Sequence, residues 1–360
     1  MTEQTTMLSH LIIIEPLGLL YGSSGRFLSP ENLVGRSGTQ FPPTTATLSG
    51  LFAAHYGNGS EKVPELKSLL LGGPFWAKLD NPQNFYVPTP FNCLVKDLGK
   101  EKKLEHQMIF DLKQKKWLDS KTLEIPPDDK FAKGTWIAIE DWDKLNQPQT
   151  EEIQIKTQPW KFLPHLHPRL QKEQRRVAVD ADESQGSLFL ENAVQLDPET
   201  CLIYLSNTPI PDGWYRFGGE GHMVNLQCKK LEDPAKSLLE TPLQNSFALI
   251  NPAVWGSNRH SYRSPEYDPE TNQPGWPGNT VQALLTQRPQ TFRYRLGGEP
   301  GQTKRLSRGR YAVPAGTVYV LENPLNLPWH NWPDEPYPVG WFPTEGYSFK
   351  RWGCGLALPL

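Results

Sequence analysis

The chain has 360 residues, room for two ordinary domains or one large one, and a net charge of −2, so bulk electrostatics do not mark a nucleic-acid binder and local charge must decide. Hydrophobic residues at 37% and aromatics at 11% support a packed core and argue against disorder. The 35 prolines and 29 glycines follow no G-X-Y period and point to short strands, many turns and long ordered loops.

In chain order, "LSHLIIIEPLGLLYG" comes first. Its apolar run is broken by Glu15 and Pro16 and lacks a basic lead, so it is expected to be neither a signal peptide nor a spanning helix. Leu11 to Ile14 read as the first buried strand. A loop with Arg26 and Arg36 follows, and then a helix in "TTATLSGLFAAHYG". There Leu48, Leu51, Phe52 and Tyr56 share one face, Thr44 or Thr45 caps the start and Gly57 ends it. Residues 84–95 read as extended, and the mixed, lysine-rich stretch 100–133 as a solvated excursion. "GTWIAIEDW" reads as a strand running into a short helix. "RRVAVD", "GSLFLENAVQL", "TCLIYLS", "FALINPAVW", "TFRYRL", "RYAVPAGTVYVL" and "YSFKRWGCGLAL" read as strands, and "NTVQALL" as a modest helix. No repeat of 20–50 residues is present, and interspersed helices among many strands make the class α+β.

Candidate chemistry is sparse. Cys93, Cys201, Cys228 and Cys354 form no CxxC pair and read as reduced thiols of a cytoplasmic protein. "RFGGEGHMVNL" has the glycines of a phosphate cradle, but strand-like stretches flank it on both sides. It therefore lacks the helix whose N-terminus would hold phosphate, and a tight turn between strands is the simpler reading. His222 follows Glu220 without metal-ligand spacing, and His165 and His167 have no third ligand in register. No catalytic residue, metal or cofactor is expected. The 12 tryptophans are read as core or loop anchors before sugar-stacking surfaces. The stronger signals are two basic clusters. Lys156, Lys161, Arg169, Lys172, Arg175 and Arg176 face only Glu173; Arg293, Arg295, Lys304, Arg305, Arg308 and Arg310 face only Glu299. Trp160, Phe162, Phe292, Tyr294 and Tyr311 lie among them, and cations beside rings are what unpaired RNA requires.

Several blocks in order resemble the RAMP superfamily of CRISPR systems, and more narrowly the Cas-five-like, handle-capping subunit of type III-B (Cmr) effector complexes. They are "IIIEPLG" with "GRFL", "SGTQFPPTTATLSGLFAAHYG", "RRVAVDADESQGSLFLENAVQL", "RFGGEGHMV", "FALINPAVW", "RYAVPAGTVYVLE" and "GYSFKRWGCG". Asn251 stands where the pattern has threonine, and residues 60–135 are unmatched. The resemblance implies two ferredoxin-like (RRM-like) βαββαβ modules, residues 1–207 and 208–360, with long insertions and a thumb-like β-hairpin at 160–176. It implies a non-catalytic subunit that caps the 5′ handle of the crRNA. Its partners would be the large polymerase/cyclase-like subunit and the first backbone RAMP subunit of the filament, with no membrane and no small-molecule cofactor. Carried over by position, the RNA-contacting residues would be Arg36, Thr44, Thr45, Lys161, His167, Arg169, Arg175, Arg176, Gly218, Gly219, Glu220 and His222, with Lys350 and Arg351 next. Arg308 and Arg310, with Lys304 and Arg305, would serve RNA or a neighbouring subunit equally well. Two alternatives stand beside this. One is a RAMP endoribonuclease using His55 as general base, against the simpler role of a histidine at a helix C-terminus. The other is a carbohydrate-binding protein.

Overall fold

Four successive apolar residues, Leu11 to Ile14, suit a strand covered on both faces, since alternate side chains leave opposite sides of a sheet. The computed structural model describes residues 7–21, 41–57, 64–99, 101–146, 152–168, 176–177, 188–218, 221–257, 260–268, 270, 273–294, 306–335 and 339–360. In it the strand His10–Pro16 is central, and all four of those side chains are buried. Leu11 and Ile13 enter one core, Ile12 and Ile14 another.

Thr200–Ser206 and His222–Lys230 flank that strand, and Leu71–Lys78 pairs with Thr200–Ser206. Gly213–Phe217 forms one edge. Beyond Leu71–Lys78 the sheet continues through Asn81–Pro88, Thr135–Ala138, Ile155–Thr157, Lys102–Asp111 and Cys93–Asp97, and Lys116–Asp119 pairs on Lys102–Asp111. The helix Thr45–Tyr56 covers one face with Leu48, Leu51 and Phe52, packed among Ile12, Ile14, Tyr204, Phe217, Val224 and Leu226.

A second sheet shares the core of the other face. Its order is Glu266–Asp268, Gln273–Trp276, Asn279–Leu285, Val318–Leu321, Ser246–Leu249, Ala357–Pro359. Its interior is aromatic: Trp276 lies 5.3 Å from Phe247, 5.7 Å from Trp255 and 5.6 Å from Trp332 between ring centroids, mostly edge to face as ring quadrupoles favour. Trp142, buried after the strand Thr135–Ala138, donates its indole N–H to the carbonyl of Pro359 at 2.7 Å and so ties the two sheets. The hairpin Trp160–Pro168 with Leu188–Leu196 is a separate ribbon, joined by Leu20–Tyr21. Trp160 seats its base between Phe41 at 5.1 Å and Trp136 at 6.0 Å, above a stacked Trp76–Tyr86 pair at 4.1 Å.

The fold is α+β and dominated by sheet. Among the described residues the α-helices are Thr45–Tyr56, Pro64–Lys67 and Ala235–Glu240, and no helix is long and apolar enough to cross a membrane. Two expectations are corrected. "NTVQALL" is the strand Asn279–Leu285, because ladders on both sides, to Gln273–Trp276 and Val318–Leu321, outweigh a weak helical pattern. The lysine-rich stretch is not a mere excursion. Lys102–Asp111 and Lys116–Asp119 are paired strands that turn Leu104, Gln107 and Leu118 inward and most of their lysines outward. Strand pairing also carries the first sheet to Lys230, past residue 207.

Asp119 fixes the turn that follows the strand Lys116–Asp119. Its carboxylate accepts the N–H groups of Lys121 at 2.7 Å and Thr122 at 2.9 Å, and meets Nδ1 of His106 at 2.7 Å. Burial alone would raise its pKa, but the two backbone hydrogen bonds and His106 outweigh burial and hold it below the ordinary value. A depressed carboxylate stabilises the fold above its unfolded pKa of about 3.9, and that stability is lost as pH falls through the lower folded value. Asp119→Asn is therefore expected to lower stability at neutral pH and to flatten the fall in urea midpoint below about pH 4, measured by denaturation across pH.

Candidate nucleic-acid interface

Three segments distant in sequence converge at the start of the helix Thr45–Tyr56. Thr44 caps it with extended backbone (φ −68°, ψ 164°), and its carbonyl accepts the N–H of Thr47 at 2.9 Å; its side chain makes no cap bond. Thr45 is buried and donates Oγ1–H to the carbonyl of Trp352 at 2.6 Å, which brings in the C-terminal glycine loop. Gly218 opens the turn after Gly213–Phe217 at φ +80°, and a Cβ there would lie 3.7 Å from Cγ2 of Thr47. The turn closes with the N–H of Gly221 on the carbonyl of Gly218 at 3.2 Å. Helix start, glycine turn and terminal loop thus pack against one another.

The terminal loop is held by close backbone approach. Gly353 has φ +72°, and a Cβ on it would lie 2.6 Å from the carbonyl oxygen of Leu71. Asn251, expected to be threonine on the resemblance, donates its amide to the carbonyl of Gly73 and accepts the Gly73 N–H at 3.3 Å. The side-chain amide makes the two bonds from two separate atoms, Oδ1 and Nδ2, where a threonine hydroxyl has a single oxygen for both.

The two cations of this loop are largely committed. Lys350 is buried, donates to the carbonyls of His330 at 2.9 Å and Trp332 at 2.5 Å, and lies over the Trp329 ring; burial lowers its pKa. It braces the loop from within. Half-buried Arg351 donates to the carbonyls of Leu69 and Leu66 at 3.3 Å each and stacks 5.0 Å from the Tyr347 ring centroid. In the second basic cluster Arg310 is buried, pairs with Glu345 at 2.6 Å and lies 4.8 Å over Phe349, whereas Arg308 is exposed.

On the hairpin Lys161 is exposed opposite Gln195, the backbone of His167 pairs with Phe189, and Arg176 is exposed. Phe162 and Leu166 are exposed beside them. His222 opens its strand opposite Phe217. Arg36, Arg169, Arg175, Gly219 and Glu220, with Lys304 and Arg305, lie outside the described residues. The structure thus brings together Thr44, Thr45 and Gly218 with the backbone of the 350–353 loop, and turns Lys350 and Arg310 inward.

His55 is exposed in the last helical turn, edge-on to Tyr56 at 4.7 Å and Tyr215 at 5.8 Å. Burial pushes the thiols of Cys93, Cys201 and Cys354 up to about 12, far from thiolate reactivity at neutral pH. Most tryptophans are in the core, as their reading as anchors expects.

Residues 26–359 match the sequence model of the family described as CRISPR-associated protein (Cas_Cmr3), and the chain belongs to that family. Among solved structures it is similar to a chain of the type III-B Cmr-beta complex bound to cognate target RNA and AMPPnP, with 14% identity, 86% of each chain covered and a TM-score of 0.47. It is also similar to a chain of the Csm3-Csm4 subcomplex in the type III-A CRISPR-Cas interference complex, with 11% identity, 98% of this chain and 99% of that one covered and a TM-score of 0.38. A search of curated proteins finds no match.

Gly353→Ala places a methyl against backbone at a left-handed φ. It is expected to cost about 2 kcal/mol or more, read as a lowered urea midpoint, while Gly50→Ala in the helix, with open space around its Cα, is neutral or stabilising.

Proposed function

We propose that this chain is a non-catalytic RNA-binding subunit that caps the 5′ handle of the crRNA within a type III effector. The observation that carries it is the convergence of the helix start at Thr44 and Thr45, the Gly218 turn and the 350–353 loop. Backbone N–H groups at a helix start and small residues in a turn allow a phosphate backbone to approach closely. The hairpin Trp160–Pro168 with Leu188–Leu196 supports the thumb reading; Lys161, next to its base, and Arg176, between its two strands in sequence, are exposed. Arg36, Arg169, Arg175, Gly219 and Glu220 are proposed contacts by position in the same segments. Docking on the large polymerase/cyclase-like subunit and on the first backbone RAMP subunit completes the reading, in keeping with the family.

Strand order supports two ferredoxin-like modules. In the first, His222–Lys230, His10–Pro16, Thr200–Ser206 and Leu71–Lys78 lie side by side; in the second, Ala357–Pro359, Ser246–Leu249, Val318–Leu321 and Asn279–Leu285 do. Both follow the order fourth, first, third, second of a βαββαβ unit. The edge strand Gly213–Phe217 takes the place of the first unit's second helix. On this reading the units divide after Lys230 rather than at residue 207.

The test is binding of a labelled single-stranded handle RNA across a salt series. Arg175→Ala with Arg176→Ala is expected to weaken binding about 10-fold and to reduce the slope of log K against log salt by about 1–2; an unchanged slope would overturn the placement of the groove. Repeat RNA is expected to stay intact with wild type and His55→Ala alike. Metal-independent cleavage lost in His55→Ala would establish the nuclease reading instead.

A further inference from the structure

Trp214 is 74% exposed, whereas the other tryptophans among the described residues are buried or half-buried. An indole left in water forfeits the large burial gain that places tryptophan in cores and interfaces. Its position is specific. Along the edge strand Gly213–Phe217, Tyr215 and Phe217 turn toward the helix and its core, so Trp214 and Arg216 stand on the opposite face. Over the central strands that face is covered: Leu11 and Ile13 share a core with the second sheet. At the edge the face is open.

The neighbours on that face are of mixed chemistry. Asn225 is directly opposite Trp214, and the exposed Met223 is opposite Arg216. Arg216 leans over the glycine turn, since a Cβ on Gly221 would lie 3.8 Å from its Cδ. Glu15 lies opposite Asn225 on the next strand and leaves the outer side, with Arg216, as the favourable side for an anion. A flat ring, a guanidinium and an amide on one pleated surface, continuous with the turn already proposed to meet RNA, suit a nucleotide better than a protein anchor, which needs an enclosing pocket.

We propose that Trp214 is a stacking platform for one unpaired base of bound RNA, with Arg216 on the adjoining phosphate and Asn225 offering its amide to the base edge. This rests on the RNA-binding reading above and adds a site on the opposite face of the hairpin.

The experiment uses the full chain and a single-stranded handle RNA oligonucleotide. In wild type, RNA is expected to shield the exposed tryptophan from acrylamide quenching. Trp214→Ala should bind roughly 5- to 100-fold more weakly, the range of one lost base stack, with an unchanged salt slope and an unchanged melting temperature, and Trp214→Phe should regain most of the affinity. The unchanged slope separates this site from the hairpin cations, whose loss lowers the slope. Wild-type affinity in Trp214→Ala, together with quenching that RNA does not alter, would overturn the proposal. So would a variant that keeps RNA but loses another effector subunit, which would assign the face to protein. A wild-type chain that binds no RNA would overturn this site and the proposed function together.

Discussion

The double burial of the strand His10–Pro16 is the constraint on which the rest of the molecule depends. A strand with one wet face can absorb polar substitution there; one with two dry faces cannot. Because Leu11 and Ile13 serve one core and Ile12 and Ile14 the other, a helix must lie on one side and a second layer on the other. The helix position fixes where its first turn opens, and the second layer fixes where the 350–353 loop passes. Thr45 joins the two with one hydrogen bond to Trp352.

Charge at the candidate interface is divided by burial rather than by sequence. Arg310 lies in one of the two basic clusters and Lys350 beside Arg351, yet their cations are spent on carbonyls, on Glu345 and on aromatic faces. Arg308, from the cluster of Arg310, and Lys161 and Arg176, from the other cluster, keep solvent contact. Removing one partner of a buried pair strands the other in a poor dielectric, so Arg310 and Glu345 act as a unit of architecture.

Much of this was legible in the sequence where the signal was local. The apolar tetrad, the helix period with Gly57 after it, and the strand–turn–strand character of "RFGGEGHMVNL" each depend on neighbours a few residues away, and each is found in the structure. What was not legible depended on distant partners. "NTVQALL" carries a plausible helical face, and only the ladder to Val318–Leu321 decides against it. Composition could not say that Lys350 points inward, because the carbonyls that hold it belong to His330 and Trp332. Asn251 stood out in the sequence only as a deviation; the physical reason is the backbone of Gly73, 178 residues away. Trp214 was one aromatic among many, although alternation in "GWYRF" already put it on the face away from Tyr215 and Phe217.

The pairing of the first strand also sets the order of events during synthesis. Its neighbours are Thr200–Ser206 and His222–Lys230, so at roughly 5–20 residues per second a nascent chain carries the strand His10–Pro16 for about 10–40 s before either partner exists. Through that interval Leu11 to Ile14 form a short apolar, β-prone segment with neither edge occupied, the kind that seeks another chain. The pairing of this first strand therefore waits on two long loop closures, while the hairpins elsewhere in the sheets close locally.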